Sequence, residues 1–386
     1  MPGPGAAGKM GSMPDSPKAS DSHEKPTPAS VSRSGAKTVL FTLLIVALPI
    51  LVVALFEGLS SLALAAYTLA SPRFLAEARH TERDTLLGWI NRPNLSLPSM
   101  YGPGVGLHTN RQRVRHIGDF APNPPAGRRR LLCSGDSFTL GYGVDDEHPW
   151  CSLLGVRDSS WETVNMGQGG YGMDQAYLWY LRDGLPLHPD LHVFALITED
   201  LRRNLSDNFS GNPKPRLVLD SSGLHTVGVP VAAPGLRPWW KRVMNNVRAL
   251  RSFDLLQRLG VTGAGRPSID NRAMRELGLA VLGDLARRDS AAGIELVVVH
   301  LPTRDDFNRL TSNPWLQQAH EAARRGEFRF VDLIEPFRRL PLDSVEKMFI
   351  KDGEVPYASA VGHFNVVGNA WVADQLTGRL PPAATK

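Results

Sequence analysis

The sequence predicts an α/β domain, a mostly parallel sheet between two layers of helices in a three-layer α/β/α sandwich, preceded by one transmembrane helix. Three observations predict it. From Arg129 onward, apolar runs of strand length alternate with helical patterns, the rhythm of a parallel sheet covered on both faces. Runs such as VFALI and ELVVVHL are continuous rather than alternating in polarity, as strands buried on both faces should be. Near the N-terminus, the eighteen residues Val39 to Phe56 carry no charge, a length at the short end of what crosses a bilayer.

Residues 1–37 are rich in Pro, Gly, Ser, Ala and Lys. Such a segment cannot bury enough apolar surface to offset its ordering entropy, and a disordered tail is expected. Residues 38–70 are expected to form the membrane anchor, with Pro49 as a tolerated kink and GLSSLALAAYTLA extending the helix into the interface. Small-residue triplets near Ala63 to Ala66 would permit cleavage of a signal peptide. The long preceding tail and the length of the apolar run favour an uncleaved anchor. Basic residues near the two ends of the helix do not settle its orientation. A short tail and a large domain favour a cytoplasmic tail and a periplasmic or otherwise extracytoplasmic domain.

Residues 71–127 form a leader whose turn residues suggest loops with short strands. The main domain, 128–386, follows. Its strands are expected at Leu131–Cys133, Val164–Met166, Leu191–Ile197, Ile294–Leu301 and Phe328–Leu333. Helices are expected over MDQAYLWYLRDGL, NRAMRELGLAVLGDLARRDSAAG, NPWLQQAHEAARRG and NVVGNAWVADQLTGRL. At about 201–247 the rhythm lapses into an insertion, with a hairpin pairing Arg216–Asp220 with Leu224–Val229. Such insertions over a sheet edge often form lids or substrate walls.

The 386 residues are 42% hydrophobic and 21% charged, with a net charge of +5. Arg128-Arg129-Arg130 is the one tight basic cluster, and no aromatic residues interleave it. It is better explained as the solvated start of a strand than as a nucleic-acid patch, so no nucleic-acid partner is expected. The two cysteines, Cys133 and Cys151, have no metal-ligand spacing. Two buried thiols are expected, with pairing possible in an oxidising compartment. No metal and no organic cofactor are implied.

Ligands of a parallel sheet sit beyond the carboxyl ends of its strands. Four stretches would meet on that rim. They are Ser137 after the first strand, Gly167, Gly169 and Gly170 after the second, Glu199 and Asp200 after the third, and His363 before the last helix. Trp179, Tyr177 and Tyr180 recur at helical spacing and suit a core face. His148, His192, His300 and His320 lack any such context. The adjacent Trp239 and Trp240 leave a substrate wall, a membrane contact or the insertion's own core open.

The blocks SGDSFTLGYGV, NMGQGGYG and GHFNVVGN resemble those of the SGNH, or GDSL-type, hydrolases, and the upstream LGWINRPN and HTNRQRVR look like the leader of membrane-anchored bacterial members. The similarity spans roughly Leu87 to Leu380. It implies Ser137 as nucleophile and His363 as the general base that takes its proton. It also implies the N–H groups of Gly170 and Ser137 as oxyanion donors, with Asp136 and Asp200 in support. A serine hydroxyl needs such a base to attack an acyl carbon at neutral pH, and a glycine lets the backbone approach the tetrahedral oxygen.

Two positions depart from that pattern. Where the family has an oxyanion asparagine, this chain has Glu199, whose ionised carboxylate would repel the developing charge. Where the family has an aspartate three residues before the histidine, this chain has Ala360. Asp352 or Glu354 could supply the missing acid, or a backbone carbonyl could stand in to give a Ser-His dyad. The resemblance therefore implies a membrane-anchored serine esterase acting on an acylated cell-envelope glycan or lipid. Its alternatives are an O-acyltransferase that modifies exopolysaccharide and a catalytically degenerate domain that binds a glycan or a partner.

Overall fold

The computed structural model describes residues 33–70, 79–210, 212–232, 252, 255, 272–308 and 314–381. The expected tail up to residue 32 and the Trp239-Trp240 pair lie outside the described residues. The chain divides into two units, Met1–Ser60 and Ser61–Lys386.

Helix α1, Arg33–Ala70, holds Pro49 within it. Its stretch Lys37–Leu64, 28 residues, is the one helix among the described residues long and apolar enough to cross a membrane. At 1.5 Å per residue, those residues extend about 42 Å, which exceeds the roughly 30 Å hydrocarbon layer.

The second unit is built on five parallel strands: β1 Arg129–Gly135, β2 Trp161–Gly167, β3 Leu191–Leu196, β4 Glu295–His300 and β5 Arg329–Asp332. Their order across the sheet is β2-β1-β3-β4-β5. This is a doubly wound order, and its switch point lies between β1 and β3, where a crevice opens at the carboxyl ends. All five expected strands form, each within a few residues of its expected place. The four expected helices form as α4 Met173–Trp179, α6 Arg272–Ala291, α7 Pro314–Arg324 and α8 Val366–Thr377. Several short helices also occur, among them α2 Ser137–Leu140, α3 Trp150–Arg157 and α5 Thr198–Arg203.

Strand periodicity divides the core. Leu131, Cys133, Val193 and Val299 face one layer, where they pack with Trp150 of α3 and Val372 of α8. Leu132, Val164, Phe194 and Val298 face the other, with Trp179 of α4, Leu282 of α6 and Trp315 of α7. Tyr177, Trp179 and Tyr180 are buried there, as their helical spacing suggests. Cys133 and Cys151 are paired as a disulfide linking β1 to α3, in place of the two expected thiols.

Arg130 also departs from its solvated reading. It is fully buried, paired with Glu162, and donates to the carbonyls of Ala121, Pro122 and Leu187. A buried guanidinium is tolerated because its donors find fixed acceptors. The leader folds into two hairpins, Thr81–Asp84 with Gly88–Asn91 and Ser96–Gly102 with Val105–His108. Leu87, Trp89 and Ile90 of the first lie in the same core cluster as α4 and α6. The insertion carries the expected hairpin, with Arg216–Asp220 paired to Gly223–Val227.

Candidate active site

Gly135 at the end of β1 pairs with Gly167 at the end of β2, so the two following loops leave the sheet side by side. A Cβ on Gly167 would lie 2.0 Å from the Leu140 nitrogen, so only glycine lets α2 rest on the end of β2. Asp136 caps α2, its carboxylate accepting from the Phe138 N–H at 2.8 Å. Asn165 ties the same turn down, donating to the Thr139 carbonyl at 2.8 Å and accepting from the Gly167 N–H at 2.9 Å. This local network presents Ser137 at the first position of the helix.

His363 comes to Ser137 from the loop before α8. Its Nε2 is 2.7 Å from Ser137 Oγ. Its Nδ1 lies 3.3 Å from the carbonyl oxygen of Ala360. A carbonyl can only accept, so Nδ1 carries the proton and Nε2 is the free base facing the hydroxyl. Burial lowers the pKa of His363 to about 4. The Ala360 carbonyl opposes that shift, and the charge of Arg203 adds to it. The imidazole is therefore neutral at pH 7, the state a general base requires.

Asp352 and Glu354 are exposed, and the Ala360 backbone serves His363 in place of a carboxylate. Glu199 does not line the cavity of about 440 Å³ that holds Ser137, Gly170 and His363. It pairs with Arg202 and faces a neighbouring cavity instead. The position expected for an oxyanion donor thus lies outside that cavity, while its charge still reaches Asp200 and Arg203.

Gly170 has φ +73°, and a Cβ there would lie 2.4 Å from the Phe209 ring. Among the described residues, neither the Gly170 N–H nor the Ser137 N–H has a hydrogen-bond acceptor. The leader holds this loop: the Trp89 indole donates to the Gly169 carbonyl at 2.9 Å, and the Tyr171 hydroxyl donates to the Trp89 carbonyl at 2.6 Å.

Arg203 is the member that sequence reasoning missed. It lines the Ser137 cavity. From α5 it donates to Asp200 at 2.7 Å, to the Tyr171 carbonyl at 2.8 Å and to Asp136 at 3.3 Å. One guanidinium thereby joins the loops after β1, β2 and β3. Burial raises the pKa of Asp136 and, more strongly, that of Asp200, where the Asp136 charge adds to the rise; Arg203 counters both. Burial also works against Arg203, but the two carboxylates hold its pKa above the ordinary value. The i,i+3 spacing of Asp200 and Arg203 on a short helix was the one signal available in sequence.

A second Ser-His-Asp arrangement lies in the core. Ser134 Oγ is 2.7 Å from His192 Nε2, and His192 Nδ1 is 2.8 Å from Asp289. The Tyr180 ring stacks on this histidine at 3.6 Å. Its members are buried and line neither of the cavities above, so this cluster satisfies buried polar groups and has no access to a substrate.

No family model matches the chain, and no curated protein matches it. Solved structures of similar fold exist. A lipolytic protein of the G-D-S-L family from Desulfitobacterium hafniense is similar at TM-score 0.35 and 12% identity, over 66% of this chain and 100% of that one. The lipase/acylhydrolase from Enterococcus faecalis is similar at TM-score 0.38 and 12% identity, over 66% and 98%. An acetyl xylan esterase is similar at TM-score 0.37 and 16% identity, over 65% and 100%. The chemistry assigned to this chain rests on its own geometry.

Proposed function

We propose that this chain is a membrane-anchored serine esterase whose substrate is an acyl ester of a cell-envelope glycan or lipid. One observation carries the reading: Ser137 Oγ and His363 Nε2 stand 2.7 Å apart on the wall of a 440 Å³ cavity. Ser137 attacks the acyl carbon while Nε2 takes its proton. The N–H groups of Ser137 and Gly170 receive the oxyanion. The same proton then passes from Nε2 to the leaving alkoxide. Water repeats the sequence to release the acid.

A carbonyl at Nδ1 fixes the tautomer but stabilises the imidazolium less than a carboxylate would, so a modest turnover is expected. Against the reading of a degenerate domain, Glu199 stands outside the Ser137 cavity and the Ala360 carbonyl gives His363 a backbone acceptor. The anchor α1 and the Cys133–Cys151 disulfide both suit an exported domain in an oxidising compartment.

Labelling of the detergent-solubilised full chain with a fluorophosphonate serine probe tests this. Labelling of the wild type, lost in Ser137→Ala and His363→Ala, is the expected result. A folded wild type that takes no label would refute the proposal.

A further inference from the structure

The cavity that Glu199 faces has a volume of about 330 Å³ and shares Phe138, Val361 and His363 with the Ser137 cavity. His363 is therefore a common wall. The two sides differ in chemistry. The Ser137 side carries Tyr142, Phe209 and Ala358, which suit an acyl group, beside the polar Arg203, Ser210 and Ser359. The other side is built from Thr198, Glu199 and Arg202 at the end of β3 and from Thr303 to Asp306 at the end of β4.

We infer that this second cavity is the alcohol-side subsite of the esterase and takes a neutral polyhydroxylated alcohol, a sugar. The inference rests on Ser137 being the nucleophile. In acylation, the bond between Ser137 Oγ and the acyl carbon forms, and the bond from that carbon to the sugar oxygen breaks. The Ser137 proton travels through Nε2 to the departing sugar oxygen. That oxygen stays bonded to the acyl carbon until it departs, so it lies beside Ser137 Oγ within reach of Nε2, and the rest of the alcohol extends past His363 into this cavity.

The wall chemistry selects the class. Glu199, Asp305 and Asp306 face Arg202 and Arg304, three carboxylates against two guanidiniums. Both guanidiniums already have carboxylate partners, Glu199 for Arg202 and Glu346 for Arg304. No positive excess remains to attract a phosphate or a uronate. Paired carboxylates and guanidiniums do offer acceptors and donors side by side, which is what a run of hydroxyls requires. Glu199 is thus placed to accept hydrogen bonds from the sugar hydroxyls, in a role separate from the oxyanion.

Acyl partition tests this. The full chain in detergent is given p-nitrophenyl acetate with glucose or glucose 6-phosphate as acceptor, and acetylated sugar is measured against free acetate. Both products arise from one acyl-enzyme, so the ratio is insensitive to the rate of its formation. Glucose is expected to accept acetyl, and glucose 6-phosphate at least about fivefold less. Glu199→Ala and Asp305→Ala are each expected to cut the transferred share about two- to tenfold, the range of one lost hydrogen bond. Equal or better transfer to the phosphate, no transfer to glucose, or an unmoved ratio in both variants would overturn the inference. Failure of the serine reading has its own signature, p-nitrophenol release no faster than by Ser137→Ala.

Discussion

Replacing Arg203 with Met removes the group that joins three rim loops. Its side chain is 16% exposed, and those of its partners Asp136 and Asp200 are 1% and 3% exposed, so solvent screens the cluster little. Removing one partner from a buried ionic cluster costs about 3–5 kcal/mol. The same substitution acts on catalysis at a distance. The positive charge helps to hold the His363 pKa near 4, after burial, which is the larger cause. The wild-type kcat/KM should therefore lose activity in acid with an inflection near pH 4, and Arg203→Met should move that limb to higher pH. Arg203→Lys should keep the limb in place, because it keeps the positive charge, and should lose less stability than the Met variant, because all three acceptors meet the one nitrogen Nη1. Urea unfolding and the pH profile of aryl-ester hydrolysis read the two effects. A Met variant as stable as the wild type, with its acid limb unmoved, would refute the reasoning. The sign of the linkage is fixed independently. A histidine whose folded pKa lies below 6.5 contributes its stability fully above about pH 6.5, and that contribution fades as the pH falls towards 4. The drop from 6.5 to about 4 corresponds to roughly 3 kcal/mol.

Three further outcomes are expected. Gly170→Ala meets both a left-handed backbone and the Phe209 ring, and should lower kcat by about a hundredfold, as loss of an oxyanion donor does, with KM for a small ester changing much less. His192→Ala should destabilise the fold by about 3 kcal/mol in urea while the folded protein still takes the serine label, because the Ser134–His192–Asp289 cluster never meets substrate. Reducing the Cys133–Cys151 bond, which closes a loop of sequence separation 18, should lower stability by about 3 kcal/mol, read as a shift of the urea midpoint in dithiothreitol.

The sheet was legible because doubly covered strands must be continuously apolar, and runs such as Leu191–Leu196 leave little choice. Ser137 and His363 were picked out because the blocks SGDSFTLGYGV and GHFNVVGN resemble those of the SGNH hydrolases. Arg203 was not, since its i,i+3 spacing from Asp200 is a weak local mark and its other acceptors lie on two other loops. Nor was the fate of Glu199: a sequence position says which helix a carboxylate leaves from, while its pairing with Arg202 decides where it points. Arg130 was misplaced for the same reason, because its acceptors are distant carbonyls that no pattern announces.

The hold of Trp89 on Gly169 has a practical consequence. A fragment cut at residue 128 would keep every side chain named in the chemistry and lose the indole that fixes the loop bearing Gly170. Such a fragment would be a complete parts list without its jig. The smallest piece worth expressing is therefore set by where an anchoring tryptophan lies, some forty residues ahead of the first sheet strand, and truncation series that start from the sheet would lose its hold on the Gly170 loop.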